Sequence, residues 1–170
     1  LGGTPMNDYL REVLFDPQAA CEMALTAENL AEKYGISREE ADDYGFRSQT
    51  AWQAAHEAGR YTEEIVPVTL KSRKGDRIIS VDEHPQLSPL APERFRARFS
   101  RESMAGLKST FKKDGTVTAA NASGINDGAG AMVMTTAGWA AERNLKPLGR
   151  LISSASMGVE PKYMGIGPVE

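Results

Sequence analysis

The 170-residue chain holds one cysteine, Cys21, and two histidines, His56 and His84. A lone cysteine excludes an internal disulfide and fits a reducing compartment, so a cytoplasmic location is expected. The histidines are far apart and no Cys/His spacing for a metal site occurs, so no metal is expected. No apolar run approaches the ~20 residues of a membrane-spanning helix. An excess of one charge is lacking too. Twenty basic and 23 acidic residues leave a net charge of −3, which gives no general drive toward nucleic acid or an anionic membrane. There is no Walker loop, no G-x-G-x-x-G loop and no G-x-S-x-G elbow. Internal repeats and low-complexity tracts are absent. The start, Leu1-Gly2-Gly3-Thr4-Pro5, has no initiator Met and no signal-peptide core. The end stops in the turn-rich Gly165-Ile166-Gly167-Pro168-Val169-Glu170. Both ends read as cut from a longer sequence.

What is present is enough apolar content for a core, 41%, and one unusual loop. Asn121-Ala122-Ser123-Gly124-Ile125-Asn126-Asp127-Gly128-Ala129-Gly130-Ala131 is small and glycine-punctuated. Without a Cβ, glycine lets backbone approach a ligand closely. Asn121, Ser123, Asn126 and Asp127 supply polar groups within a few residues. The alternative is a tight loop whose glycines serve turns and whose Asn and Asp side chains cap backbone groups. Ala131-Met132-Val133-Met134 follows and reads as a buried strand.

Local signals place the other elements. A helix is expected around Pro17–Leu25, with Cys21 a structural residue on it. Glu22 beside Cys21 puts a negative charge next to the thiol, which disfavours a reactive thiolate. Thr26 is a good N-cap for a helix carrying Leu30 and Ala31, and Glu28 suits its positive end. Gly35 stops that helix, with Ile36 beyond it. Ser37 and Glu40 form a capping box, opening a helix that Gly59 ends. Its three- and four-residue steps through Ala41, Tyr44, Ser48, Ala51, Trp52 and Ala55 make Tyr44 and Trp52 core residues.

Residues 65–70 and 77–81 read as a hairpin across Arg73-Lys74-Gly75-Asp76, with Pro67 marking an edge. Lys71, Arg73, Lys74 and Arg77 make its tip basic, as a solvated turn would be. Arg94, Arg96, Arg98 and Arg101 cluster beside Phe95 and Phe99. This group suits a phosphate or adenine, and equally an exposed loop anchored by two phenylalanines. A helical turn is expected at Ser103–Leu107, and a short extended run at Thr116–Ala119. Thr135 or Thr136 caps a helix to about Arg143, with Asn144 as an αL stop, and Leu148–Ser153 reads as a strand. Strand, helix and strand at this spacing make an α/β pattern.

These segments together resemble the thiolase family. Asn121–Ala129 is similar to its NASG-[LI]-NDGA segment. Thr26–Ala31, Gly35–Glu40, Gly59-Arg60, Glu63–Val68, Arg73–Asp76, Asp82–Pro85, Phe111, Asp114–Ala119 and Met164–Val169 follow in the family's order, covering residues from about 23 to 170. The resemblance implies an acyltransferase that condenses or cleaves acyl-CoA thioesters, with a role in fatty acid metabolism. The family's nucleophilic Cys takes the acyl group and a His from a G-H-P loop activates it. A second Cys in a C-x-G loop is acid and base, and an Asn in an N-E-A-F loop holds a catalytic water.

None of those four loops occurs in the chain. The expectation is therefore a truncated piece that is inactive alone, its nucleophile before Leu1 and the other loops after Glu170. Its fold is α/β, a thiolase-like fold fragment. Residues 1–124 would be the loop domain that covers CoA. Residues 125–147 would complete the N-terminal half, and 148–170 would begin the C-terminal half.

By resemblance, coenzyme A or acyl-CoA is the substrate and no cofactor is bound covalently. Ser123 falls on the pantetheine-bonding serine, and Ala119 on a position along the same arm. Leu107 and Phe111 fall on the apolar wall near adenine and pantetheine, and Ser103 and Arg96 at the nucleotide end. Met164 falls on a Met of the acyl or pantetheine channel, and Met23 on the Met of an H-M-G segment. The chain departs from the family there, with Glu22 in place of His and Ala24 in place of Gly. It also has extra residues in its first segment and around 84–95. The departure at Glu22 sets it apart from the biosynthetic, acetoacetyl-CoA-specific pattern. Acyl-CoA and further copies of the chain, as dimer or tetramer, are the expected partners, with residues 65–81 as a joining hairpin. The alternative is a stand-alone non-catalytic CoA-binding or oligomerisation module.

Overall fold

The computed structural model describes residues 9–85, 87 and 99–169. After the short helix α1 (Tyr9–Val13), β1 (Phe15–Asp16) and β2 (Cys21–Glu22) pair antiparallel, Phe15 opposite Glu22. The expected helix over Pro17–Leu25 is thus replaced by a turn and a strand pair at its start. Asp16 is the reason: its Oδ1 accepts from the Gln18 and Ala19 amides at 2.7 and 3.2 Å, which closes a turn. Cys21 is half-buried in β2.

Helix α2 (Met23–Tyr34) begins before Thr26. Thr26 is not its cap: the hydroxyl donates back to the Met23 carbonyl at 2.6 Å, inside the first turn. Gly35 ends the helix at φ 65°, a left-handed conformation that glycine adopts without a Cβ penalty, and its N–H donates to Ala31 O. Helix α3 (Arg38–Glu57) opens with the expected capping box. Glu40 N donates to Ser37 Oγ at 3.1 Å and Ser37 N to Glu40 Oε2 at 2.8 Å. The Ser37 amide holds the Glu40 carboxyl below its ordinary value.

On α3, Trp52 is half-buried and stacks between His56 and Tyr61, at 5.1 and 6.1 Å. Tyr44 is not core; it is 65% exposed, with the Arg47 guanidinium 4.7 Å above its ring. The hairpin forms as β3 (Val68–Leu70) and β4 (Arg77–Ile79), antiparallel, with Val68 opposite Ile79. Helix α4 (Arg101–Ala105) is capped by Ser100 and leans on α3. There Phe99 stacks on Phe46 at 5.2 Å and Arg101 pairs with Asp43.

Beyond residue 124 the chain changes character. Thr136 caps α5 (Ala137–Glu142) and Asn144 takes φ 52°, as expected. Residues 131–134 and 148–153 are neither buried nor paired as strands; Val133 is 95% and Ile152 81% exposed. A strand needs a neighbour to satisfy its backbone and cover its face, and no described residue provides one. The last segment, Pro161–Val169, forms 3₁₀ turns kinked at Tyr163 and returns to α2. Asn29 Nδ2 donates to Lys162 O at 3.2 Å, and Lys33 Nζ sits 4.1 Å above the Tyr163 ring.

Candidate functional site

The segment 115–124 is held from both sides by acidic side chains of the two long helices. From α2, Glu28 is 2% exposed and points at the turn entering the loop. Its Oε2 accepts from Thr116 N at 2.8 Å and Thr116 Oγ1 at 2.9 Å, and its Oε1 from Val117 N at 2.8 Å. Burial alone would push this carboxyl up. The three hydrogen bonds, with the Lys112 charge, outweigh burial and hold it below 4.5. A Cβ on residue 115 would overlap the Glu28 carboxylate, so a side chain there would displace the group that holds the turn. Lys112 also pairs with Glu32 at 2.9 Å on the adjacent surface.

From α3, Asp42 is buried and accepts from Asn121 Nδ2 at 2.8 Å. Asn121 donates through the same nitrogen to Thr116 O and accepts from Thr118 N, both at 2.8 Å. The Asn side chain thus caps backbone, as the turn alternative anticipated. Thr118 is 0% exposed, and its hydroxyl accepts from Ala120 N at 3.3 Å. Buried donors and acceptors are therefore paired along the loop, which fixes its course. Fixing that course leaves Ala119 and Ser123 exposed on one stretch of ordered backbone. At Gly124 a Cβ would lie inside the His84 imidazole, so the residues after the hairpin pack against the loop.

The other sequence-expected positions lie around this stretch. Ser103 is on α4, exposed, with its hydroxyl 3.1 Å from that of Ser100. Leu107 follows α4 and Phe111 lies in the next turn; both rings and chains are over 40% exposed, at 41% and 43%. An open cleft runs between Arg38 and Leu107–Ser109, with Lys113–Gly115 opposite. Lys108 and Lys113 line it, and the sequence reading had not singled them out as a pair. Met23 is half-buried at the start of α2. Met164 is exposed in the 3₁₀ segment that packs on α2, the helix that also carries Glu28. Arg96, like Arg94, Arg98 and Phe95, lies outside the described residues. Ser103, Leu107, Ala119 and Ser123 are thus linked through α3 and α4, while Met23 and Met164 belong to the α2 side.

Glu28, Arg38, Asp42 and Asn121 were missed as a set, although all but Asp42 sit in segments that resemble the family. Arg38 and Asp42 at i and i+4 on one helix face were the available signal. No group of three or more His, Cys, Asp or Glu able to hold a metal occurs among the described residues. No helix of the described residues is long and apolar enough to cross a membrane.

The family profile described as "Thiolase, N-terminal domain" matches residues 1–138. An acetyl-CoA acetyltransferase of Syntrophomonas wolfei is 44% identical over 97% of the chain and 40% of that relative. The crystal structure of the Bacillus anthracis acetyl-CoA acetyltransferase superposes with a TM-score of 0.82 at 44% identity, over 98% of the chain and 40% of the other. Human mitochondrial 3-ketoacyl-CoA thiolase in complex with CoA gives 0.79 at 39% identity, over 98% and 40%. The chain spans about two fifths of the length of the relatives it matches. It belongs to the thiolase family, and its mixed helix-and-strand architecture is part of the thiolase fold.

Proposed function

We propose that this thiolase-family chain supplies the CoA-holding surface of an acyl-CoA acyltransferase. The whole protein would condense or cleave acyl-CoA thioesters through a cysteine thiolate outside these 170 residues. In cleavage the thiolate adds to the ketone carbonyl of a 3-ketoacyl-CoA. The bond to the neighbouring carbon breaks, and acetyl-CoA leaves as an enolate that takes a proton. The thiol of a second CoA then accepts the acyl group from sulfur and returns a proton to the enzyme. On this reading the chain itself holds the CoA arm and turns nothing over alone.

The observation that carries the reading is the loop from Gly115 to Gly124. Its own buried polar groups are paired, and it presents Ala119 and Ser123 outward. Ser123 would bond the pantetheine arm. Leu107 and Phe111 would cover its apolar parts, and Lys108 and Lys113 in the adjoining cleft suit its phosphates. Ser103 and Arg96 would meet the nucleotide end, and Met23 and Met164 the channel for the acyl arm.

NMR titration of the chain with CoA tests this. Weak binding that shifts the Ala119–Ser123 amides and is lost in Ser123→Ala is expected, with no thiolysis of acetoacetyl-CoA. Shifts confined to other residues, or unchanged binding by Ser123→Ala, would overturn the site. Protein-dependent thiolysis would overturn the placement of the nucleophile.

A second reading, assembly, rests on the hairpin. Val68, Leu70 and Ile78 are exposed on a strand pair that no other described element covers. Joining copies of the chain through this hairpin would bury them, and an oligomer by light scattering that Leu70→Lys reduces is expected. The lone cysteine favours the cytoplasm; cell fractionation tests this against the mitochondrial setting of the human relative.

A further inference from the structure

The two edges of the proposed CoA surface are joined by Arg38, which also lines the cleft beside Leu107, and by Asp42. Arg38 and Asp42 lie one turn apart on α3, their side chains 26% and 10% exposed. Arg38 Nε donates to Asp42 Oδ2 at 2.7 Å. A terminal nitrogen of the same guanidinium donates to the carbonyls of Met104 and Leu107, at 2.8 and 3.0 Å. The other Asp42 oxygen accepts from Asn121 Nδ2 at 2.8 Å, and Asn121 grips Thr116 O and Thr118 N. An unbroken path therefore runs from the end of α4, beside Ser103 and Leu107, to the backbone that presents Ala119 and Ser123.

We propose that Arg38 and Asp42 are positioning residues for CoA, setting the distance between the edge that meets its nucleotide end and the edge that meets its pantetheine arm. The inference rests on the CoA reading above. The chemistry suits the task. A guanidinium is a planar fork able to bond a carboxylate and carbonyls at once, and it stays charged. Asp42 uses both oxygens, so the guanidinium that holds the α4 end and the amide that holds the loop meet on one carboxylate. Bonds to ionised groups in a half-buried site are stronger than neutral ones and couple their partners. A CoA molecule is long enough to touch both edges, so an error in their separation weakens whichever end is left unmatched. Pantetheine alone touches one edge and is indifferent to the separation.

That difference supplies the test. In Arg38→Lys an ammonium can still face Asp42 but cannot span both carbonyls, so the α4 edge is freed while Asn121 stays held. Arg38→Lys is expected to weaken CoA about tenfold and to leave pantetheine within about twofold of the parent, a tenfold change being about 1.4 kcal/mol. Asp42→Asn turns an amide toward the guanidinium and loosens both edges; both ligands should weaken tenfold or more. NMR titration reads both ligands even at millimolar affinity, and thermal midpoints are recorded for each variant. An Arg38→Lys variant that weakens CoA and pantetheine equally, or neither, overturns the positioning role. Should Asp42→Asn fail to fold, Arg38→Lys decides alone. A parent chain that binds neither ligand overturns the CoA reading and this inference together. A parent that binds both, with both variants unchanged, overturns this inference only.

Discussion

Residues 23–124 and residues 125–153 solve opposite problems. In the first region Glu28, Asp42 and Thr118 are buried, and each is met by donors and acceptors of its own chain. In the second, Val133 and Ile152 face outward and no described strand pairs with them. The first region pairs these buried groups within the chain and so holds the loop. The second has strand-like sequence with nothing to pair with, and its apolar side chains call for a cover. A full thiolase is more than twice this length. Within one chain the loop is thus held by pairs between distant residues, while the described residues leave 131–134 and 148–153 without a neighbouring strand.

The strongest way to break the comparison is to remove Glu28. In Glu28→Gln an amide nitrogen replaces one acceptor, leaving Thr116 N or Val117 N facing a donor. Bonds to a charged group and an unpaired buried amide together set the loss at about 3 kcal/mol, read by urea denaturation. The same carboxylate gives a pH dependence. Its folded pKa lies below 4.5, so near that pH the unfolded chain binds more protons. The stability it contributes is complete above 4.5 and is lost as pH falls through the lower folded value. Glu28→Gln should flatten the stability profile in that acid window. A parent profile as flat as the variant's would show that the loop does not depend on this carboxylate.

A smaller effect probes the seam between the hairpin and the loop. Gly124→Ala forces the His84 imidazole or the loop to move and should cost about 1–2 kcal/mol. In a His84→Ala background the same change should cost almost nothing. A double-mutant cycle measures the coupling, and additive effects would show that the two residues do not meet.

The sequence made the helix ends readable because caps act within a few residues. Ser37 with Glu40, Gly35, Thr136 and Asn144 all end elements as expected. Ser37→Ala should cost about 1 kcal/mol by chemical denaturation. Glu28 was readable only as a helix-dipole residue, because its true partners, Thr116 and Val117, lie far along the chain. Asp42 was hidden for the same reason, and Asn121 drew notice as a polar loop residue without its partner being apparent. The run 131–134 has strand composition, yet composition cannot state whether a neighbouring strand is at hand. The thiolase resemblance identified the family, while the acidic side chains that hold the loop came only from the three-dimensional arrangement.

The mildest change tests the second region. Val133→Lys replaces an exposed side chain that makes no stabilising burial within the chain, so its unfolding free energy should shift by less than about 0.5 kcal/mol. Association should respond far more. If the apolar residues around 131–134 and 148–153 seek cover from other copies, the parent chain scatters light as an oligomer, and the lysine variant shifts toward monomer. An equivalent Lys in the paired region has no such choice: Thr118→Lys would bury a charge at a 0% exposed position and unfold the loop instead. A Val133→Lys variant that lost stability as heavily would mean that residues 125–153 are packed within the chain, and the two regions would no longer differ in kind.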